Sequence, residues 1–379
     1  MIICEKSLCT GCSVCADVCP QQCVEIKYDS NGFLHSFVEE DKCVKCKKCV
    51  SVCPANNPNN KNKVTKAYKI SRIDTENAVK STSGGVAAAF SEYIVENAGF
   101  VAGCEMDSDL IVKHSVVHNV EDLEKFKGSK YVQSKTEGIY KEVKKLLKDD
   151  KKVLFVGTPC QVSALNNFLE KSYENLYTVD LVCHGVSSQK VMENCINHIQ
   201  NKIDKKIIDV KFRSKEDGYK CSKNDWNFVY ENGTYVSPFN EGIVLWFASG
   251  LSLRNSCYEC NFVSTSRCSD ITLADYNGND LSDDDKKFGV SLMFINTQKG
   301  MQLFDDAKRC FAFSEEDCDA VVPSCIRMCQ KSKEPKSRKK FFKDLDELNF
   351  DSLIKKYTLK KILPSKLIRY YNALKRKIR

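Results

Sequence analysis

The sequence predicts a mixed α+β or α/β protein in three parts: a short cysteine-rich module over residues 1–57, a larger α/β domain over 64–330, and a basic helical tail over 331–379. Three observations lead to this division. A cysteine pattern occurs twice near the N-terminus, strand-like and helix-like segments alternate through the middle, and basic residues accumulate after residue 330. With 379 residues, 42% of them apolar, the chain can bury a sizeable core.

The first part is organised by a repeated cysteine run. The pattern C-x2-C-x2-C-x3-C-P starts at Cys9 and again at Cys43. It is the signature of a bacterial ferredoxin with two [4Fe-4S] clusters, in which the fourth cysteine of each run ligates the other cluster. The predicted ligand sets are Cys9, Cys12, Cys15 and Cys53 for one cluster, and Cys43, Cys46, Cys49 and Cys19 for the other. A structural zinc site and disulfides are the alternatives.

The compartment follows from what the sequence lacks. It has no signal-peptide pattern and no apolar stretch near the roughly 20 residues that cross a bilayer. We therefore expect a cytoplasmic protein, where clustered cysteines more often ligate metal than form disulfides. Within the module, short strands are predicted at 23–28 and 32–34 around an Asn31-Gly32 turn. The polar run 56–63 is predicted to be a linker.

The second part alternates strands and helices. A helix is predicted over 86–97 after the glycine-containing segment 81–85, where backbone N–H groups could receive a phosphate, although such a segment can be only a helix start. Two strand–loop–helix units follow, with strands at 152–156 and 176–182. Because parallel strands end at one edge of a sheet, Cys160 and Cys183 are expected there, where α/β sheets bind ligands. Each cysteine alone could equally be a small buried apolar residue.

A C-x2-C pair, Cys257 and Cys260, has the reach for two corners of a metal site. The remaining ligands must come from elsewhere in the domain. The leading prediction is a third [4Fe-4S] cluster ligated by Cys160, Cys183, Cys257 and Cys260. The alternatives are a zinc site completed by Cys268 or His184, and cysteines that bind no metal.

Together these segments resemble the coenzyme F420 hydrogenase/dehydrogenase beta-subunit family over roughly residues 1–300. Besides the cysteine repeat, the resemblance depends on six motifs at 81–85, 128–134, 157–161, 180–185, 254–260 and 269–272. It implies an iron–sulfur flavoprotein domain with bound FAD. It also implies a two-electron acceptor, either an 8-hydroxy-5-deazaflavin carrier or, as in similar proteins of bacterial polysaccharide biosynthesis, a pathway metabolite. The segment 274–278 departs partly from the family pattern and leaves the acceptor pocket open.

Site residues follow from combining the motifs with the resemblance. The residues predicted to hold phosphate or flavin are Ser83, Gly84, Gly85, Lys130, Tyr131 and Thr158. Thr158 and His184 are the predicted catalytic residues near the redox centre. His184 could instead be a satisfied loop histidine, and Lys130 a solvated surface lysine. The expected function is electron transfer between a ferredoxin or other redox protein, FAD and a small-molecule acceptor; the alternative is a non-catalytic subunit that relays electrons to a partner enzyme.

The third part is strongly basic. Residues 331–379 hold 17 Lys and Arg against 5 Asp and Glu, a net charge of +12, which leaves −4 for the remainder of a chain of net charge +8. Apolar residues at 367, 371, 374 and 378 have helical spacing. The pattern predicts a helix at an anionic membrane surface, on the inner face. The alternatives are a helix packed on the body and a solvated tail; nucleic acid is a weaker one, since the rest of the chain is net negative and no nucleic-acid-binding fold is recognised.

Overall fold

The computed structural model describes residues 1–215, 226–237, 242–278 and 280–357. In the N-terminal module, helix α1 (Val14–Val18) precedes an antiparallel hairpin of strands β1 (Val24–Tyr28) and β2 (Leu34–Val38), and helix α2 (Lys48–Ser51) follows. Gly32 has a φ of +79°, which glycine adopts without strain at such a turn. The predicted hairpin and its turn are therefore confirmed, although the second strand begins at Leu34, where the predicted strand 32–34 ends.

The larger domain is built on β-strands. Its strands, in chain order, are β3 (Asn62–Lys63), β4 (Lys66–Arg72), β5 (Phe100–Met106), β6 (Val112–Val117), β7 (Val153–Gly157), β8 (Leu176–Leu181), β9 (Ile207–Lys211), β10 (Trp226–Tyr230), β11 (Gly233–Ser237), β12 (Ser266–Arg267), β13 (Ile271–Asp275), β14 (Ser291–Ile295) and β15 (Phe311–Glu316). In the described part of the chain, eight of them form one sheet in the order β15-β4-β14-β13-β8-β7-β5-β6. Strands β9, β10 and β11 form a smaller antiparallel sheet in the order β11-β10-β9.

Helices connect and cover these strands. They are α3 (Thr75–Lys80), α4 (Val86–Glu96), α5 (Ile139–Lys148), α6 (Pro159–Leu169), α7 (Gln189–Ile203), α8 (Gly242–Ala248), α9 (Asn255–Tyr258), α10 (Asp283–Phe288), α11 (Gln298–Ala307), α12 (Cys318–Ser324), α13 (Ile326–Cys329), α14 (Arg338–Glu347) and α15 (Phe350–Lys356). Short 3-10 turns occur at Glu40–Lys42, Glu121–Phe126 and Lys308–Cys310.

The centre of the sheet is parallel. Strand β8 pairs in parallel with β7 and with β13, and β5 pairs in parallel with β7, while the outer strands pair antiparallel. Helix α4 matches the predicted bounds to within one residue, and helices α6 and α7 follow β7 and β8. The predicted pair of strand–loop–helix units is thus confirmed, and the loops after β7 and β8 leave the same edge of the sheet.

Apolar side chains cover both faces of the sheet. Helices α4 and α11 bury residues such as Phe90 and Phe304 on one face. On the other face, α5 and α6 bury residues such as Val143 and Leu165, and Cys12, Val14 and Val52 of the N-terminal module join that cluster. The module therefore packs on the sheet through the same apolar layer as the helices.

Two segments are more tightly packed than the sequence predicts. The run 56–63 is not a free linker, since Asn62–Lys63 pairs with β12 and the backbone N–H of Asn59 donates to Ser163 Oγ. In the tail, α14 and α15 bury Phe341, Leu345 and Leu353 in the core around α7 and α8. Each such side chain contributes roughly 1.5–3 kcal/mol of burial free energy. The first half of the tail is consequently part of the larger domain.

The guanidinium of Arg254, 2% exposed, joins the module to the larger domain. Its Nε donates to the Cys9 carbonyl at 2.6 Å, its Nη2 to the Leu34 carbonyl at 2.6 Å, and its Nη1 to Gln133 Oε1 at 2.7 Å. Gln133 in turn donates to the Thr10 carbonyl at 2.9 Å. Two residues from different elements of the domain thus hold the backbone of the first cysteine run.

We expect Arg254→Ala to destabilise the docked module strongly. The substitution leaves three acceptors without their donor, each at a cost of about 1–3 kcal/mol. Anaerobic thermal unfolding followed by circular dichroism should show a midpoint several degrees lower, and proteases should cleave the 56–63 segment faster.

A matched control is Lys190→Ala at the same interface. Lys190 Nζ donates to the Ser30 carbonyl at 2.8 Å, but the side chain is 30% exposed. Its loss should cost less than about 1 kcal/mol. Equal effects of the two substitutions would show that Arg254 is not the main anchor.

Candidate functional site

A cavity of about 660 Å³ opens at the edge of the sheet where β7 and β8 end. Its walls come from the loops after these strands, from the start of α4, from residues 126–134 and from the loop that carries α9. The sequence-predicted site residues that line it are Ser83, Gly85, Lys130, Tyr131, Thr158, Cys160, Cys183, His184, Cys257 and Cys260. Ten of the eleven site residues predicted in the larger domain are therefore brought to one place by the fold, and Cys12 of the N-terminal module lines the same cavity.

The four predicted cysteines of the larger domain face one another across this cavity. Cys160 lies at the start of α6, Cys183 in the loop after β8, and Cys257 and Cys260 in and just after α9. Burial raises the pKa of Cys183 well above its usual range, and the charges of Cys257, Cys160 and Cys260 raise it further. Burial and the Cys260 charge raise the pKa of Cys257 to about 12. The four thiols are thus electrostatic neighbours that must lose protons together to bind metal.

The alternative ligands have other partners. The Cys268 thiol donates to the Pro159 carbonyl at 3.2 Å, and burial keeps its pKa well above its usual range. His184 Nε2 donates to the Phe247 carbonyl at 3.1 Å, and burial lowers the pKa of His184 to about 4. These contacts favour the four-cysteine set over a set completed by Cys268 or His184.

Thr158 is the residue before α6 and has two contacts. Its backbone N–H and its hydroxyl donate to Gln161 Oε1 at 2.9 and 3.0 Å, which caps the start of the helix. The same hydroxyl lies 3.2 Å from Cys160 Sγ. Burial raises the pKa of the Cys160 thiol, and the hydrogen bond with Thr158 opposes the rise, so that the pKa is about 11. Thr158 therefore positions Cys160 and contributes a polar atom to the cavity wall.

The segment before α4 forms a backbone cradle. Gly85, with a φ of +72°, begins the helix, and the first-turn residues Val86, Ala87 and Ala88 line the cavity. Their N–H groups precede the first helical hydrogen bond, from Ala89 to Gly85, so they are free of the helical pattern. Such a helix start attracts anions.

Gly84 and Ser83 have packing roles in the same segment. Gly84 does not line the cavity; a Cβ there would lie 2.5 Å from the Ile70 carbonyl, so close packing on β4 explains this glycine better than the predicted cofactor contact. The Ser83 hydroxyl donates to the Val290 carbonyl at 2.9 Å. Ser83 therefore lines the cavity, but its hydroxyl proton is directed to the Val290 carbonyl.

Lys130 and Tyr131 lie on the wall adjoining the cradle. Lys130 Nζ donates to the carbonyls of Lys125 and Lys127 at 2.8 and 3.0 Å, and burial lowers the pKa of Lys130. The Tyr131 ring packs 4.6 Å from the Phe247 ring, centroid to centroid. Ser129 is held by a 2.8 Å bond from its N–H to the Thr82 hydroxyl, which ties this wall to the cradle.

Sequence reasoning missed two buried cations at the site. Arg254 stands in a motif of the resemblance, yet no role was assigned to it because its partners are distant in sequence. Lys215 Nζ donates to the carbonyls of Ala78, Ser83 and Phe288, and burial lowers the pKa of Lys215 to about 7. Lys215 fixes the cradle from behind, and nothing in its local sequence signals this.

The N-terminal cysteines also gather as predicted. Burial raises the pKa of Cys15 to about 12, and the charges of Cys9 and Cys53 add to the shift. A second small cavity is lined by all four cysteines of the other set, Cys19, Cys43, Cys46 and Cys49. Each group takes its fourth cysteine from the opposite run. Cys4, to which the sequence assigned no role, lies beside Cys9 and Cys53.

The arrangement of possible ligands was compared with that of a site for one metal ion. Within the described ranges, no three His, Cys, Asp or Glu side chains are arranged to share one metal ion. A [4Fe-4S] cube needs no such arrangement, because its cysteines bind separate irons.

None of the helices in the described ranges is long and apolar enough to cross a membrane.

Two regions of the chain match known protein families. Residues 150–321 match the family described as the C terminus of the coenzyme F420 hydrogenase/dehydrogenase beta subunit. Residues 8–57 match the 4Fe-4S dicluster domain family. The chain therefore combines an N-terminal iron–sulfur domain of ferredoxin type with a larger α/β domain, as predicted, and both matches support a role in redox electron transfer.

Two individual proteins are similar to this chain. The coenzyme F420-dependent sulfite reductase of Methanocaldococcus jannaschii is 29% identical over 192 residues, which cover 48% of this chain and 28% of that protein. This chain thus spans less than a third of that relative. A chain of the F420-reducing [NiFe] hydrogenase complex of Methanosarcina barkeri, solved as a xenon derivative, aligns with a TM-score of 0.49 and 19% identity, over 77% of this chain and 92% of its own.

Proposed function

We propose that this protein is an iron–sulfur flavoprotein oxidoreductase that moves electrons between a one-electron donor of ferredoxin type and a small two-electron acceptor. The observation that carries the proposal is the shared cavity: four half-buried cysteines and an anion-attracting helix start line the same space. An iron–sulfur group and a phosphate-bearing cofactor placed there would be neighbours. The acceptor we propose is a deazaflavin-like carrier or a metabolite of polysaccharide biosynthesis.

The proposed metal ligands are twelve cysteines in three sets. The two N-terminal sets are those of the dicluster repeat. For the third set, the fit depends on chemistry: four thiols around one cavity suit a thiolate-ligated iron–sulfur group better than a hard cation, and the nearby Glu259 carboxylate pairs with Lys331 at 3.4 Å. Arg254 and Arg267, whose charges act on these cysteines, would offset the negative charge of the bound group.

The residues proposed to hold FAD form the cradle and its adjoining wall. The first-turn N–H groups of α4 and the Ser129–Lys130 segment would bind the diphosphate, and the Tyr131 ring would pack against the aromatic portion. When bound, a flavin exchanges electrons in pairs with organic acceptors and singly with iron–sulfur groups. The chain itself provides the shape of the site and a fixed backbone, which Lys215 holds through its hydrogen bonds to the carbonyls of Ala78, Ser83 and Phe288.

His184 and Thr158 have proposed roles at the acceptor side. Because His184 Nε2 donates to a carbonyl, its Nδ1 is the nitrogen left to accept a hydrogen bond. A neutral, oriented imidazole of this kind can position an acceptor that carries an N–H or O–H group. The Thr158 hydroxyl keeps the Cys160 thiol in place.

Iron content tests the third cluster. Anaerobically purified protein should hold about 12 irons per chain, since three cubes carry four irons each. Cys257→Ser combined with Cys260→Ser should lower the count to about 8 by removing the ligands of one cube. The control, Cys310→Ser with Cys318→Ser, alters two cysteines outside the cavity and should leave 12. A count near 8 that does not change in the first variant would exclude the third cluster.

Flavin content tests the cradle separately. Acid extraction of the wild-type protein should release about one FAD per chain, measured by fluorescence and chromatography. Lys130→Gln should lower that occupancy several-fold because it removes the cation beside the proposed diphosphate site, while iron content stays at the wild-type value. Lys148→Gln, on the exposed end of α5, is the control. Protein that holds iron but never FAD contradicts the flavoprotein proposal; protein that holds both but reduces no acceptor supports the relay function.

The tail residues proposed to meet a membrane, from 366 onward, lie outside the described residues. Because α14 and α15 belong to the core, truncation after Tyr357 is the appropriate variant. The full chain should co-sediment with anionic liposomes, with roughly 1 kcal/mol gained per basic residue near the surface, and release at high salt. The truncated chain should lose nearly all binding. Equal sedimentation of both would leave the tail without a membrane role.

A further inference from the structure

The two halves of the N-terminal module differ in charge although they share their cysteine spacing. Between its first three cysteines, the first run has Thr10, Gly11, Ser13 and Val14, none of them charged. The corresponding residues of the second run are Val44, Lys45, Lys47 and Lys48, and Lys42 precedes them. Ligand spacing alone therefore does not determine what lies between the ligands.

The two runs also differ in their surroundings. The first run is covered by the larger domain, which bonds the carbonyls of Cys9, Thr10 and Cys12 through Arg254, Gln133 and Thr136. The second run faces solvent: Cys46 is exposed, and Val44 is 61% exposed. We call residues 42–48 the lysine surface. It is the only place in the described chain where a proposed iron–sulfur ligand is an exposed residue.

Most of the positive charge of the lysine surface is uncompensated. Lys42 pairs with Glu39 at 2.6 Å, and Glu40 pairs with the N-terminal amine. No described residue forms an ion pair with Lys45, Lys47 or Lys48. The one free carboxylate beside them in sequence is Asp41, so three lysines act against a single acid.

We propose that the lysine surface is the docking site of a small, acidic one-electron carrier protein. This inference rests on the proposed function, because Cys46 is there a proposed cluster ligand. Opposite charge on a carrier would steer encounters to the half of the module nearest solvent. An exposed valine among the lysines adds apolar contact, and transient redox complexes need only a small interface. The transfer moves one electron from reduced carrier to oxidised module, with no bond or proton changing partner.

Binding of an oxidised acidic two-cluster ferredoxin tests the inference without any turnover. At low salt, titration calorimetry should show its Kd with the variant Lys45→Gln, Lys47→Gln, Lys48→Gln to be at least about tenfold weaker than with the wild-type protein. At 1 M salt, where the Debye length is about 3 Å, the difference should nearly vanish. The control variant Lys145→Gln, Lys148→Gln, Lys151→Gln removes the same exposed charge from the α5 region and should change Kd less than about twofold.

A reciprocal measurement needs no substitution in this chain. The same ferredoxin with amidated surface carboxylates should bind the wild-type protein at least about tenfold more weakly than the untreated ferredoxin. Equal weakening by the two triple variants, or no weakening by the first, overturns the assigned surface. Iron content of the wild-type protein reports separately on the proposed function: missing clusters would refute the ligand sets even where binding depends on these lysines.

Discussion

The arrangement of the redox site depends on one buried guanidinium. The hydrogen-bond partners of Arg254 among the described residues are two backbone carbonyls, a side-chain amide and the His35 imidazole, with no carboxylate among them. A buried cation without hydrogen bonds is strongly unfavourable, so these partners and the cation require one another. Because Arg254 immediately precedes α9, which carries Cys257, the same side chain fixes the first cysteine run relative to the third cysteine set. The distance between the cluster proposed at the first cysteine run and the one proposed at the third cysteine set is therefore set by an interdomain contact rather than by a flexible linker.

The sheet supplies the second constraint. Parallel strands end together, so the loops after β7 and β8 place Cys160 and Cys183 at the same edge of the sheet. Two of the strands also share a buried ion pair: Arg267 of β12 pairs with Asp180 of β8 at 3.0 Å, and both are nearly inaccessible. Neither residue lines the cavity, whose wall at this edge of the sheet comes from the loop residues.

The sequence predicted what is decided locally. Cysteine spacing, the Asn31-Gly32 turn and the alternation of strands and helices each depend on residues within a few positions of one another, and all three are present in the structure. Contacts over long separations were not predictable: Arg254 reaches Cys9 across 245 positions, and Lys215 meets three carbonyls from separate segments. The tail shows a different limit, because an amphipathic helix such as α14 has one sequence pattern whether its apolar face meets a protein core or a membrane.

The contrast between the cysteine runs shows how a repeated motif becomes specialised. Cluster chemistry prescribes the cysteines and their spacing, so both runs retain them. At Gly11 even a Cβ would lie 2.0 Å from Gln133 Nε2, so this position cannot accept the lysine found at its counterpart in the second run. A charged side chain at any position between the first three cysteines of this run would also have to be desolvated against the larger domain. The second run has neither constraint, and its lysines remain in water. The residues between the ligands therefore record which half of the module faces the protein and which faces a partner.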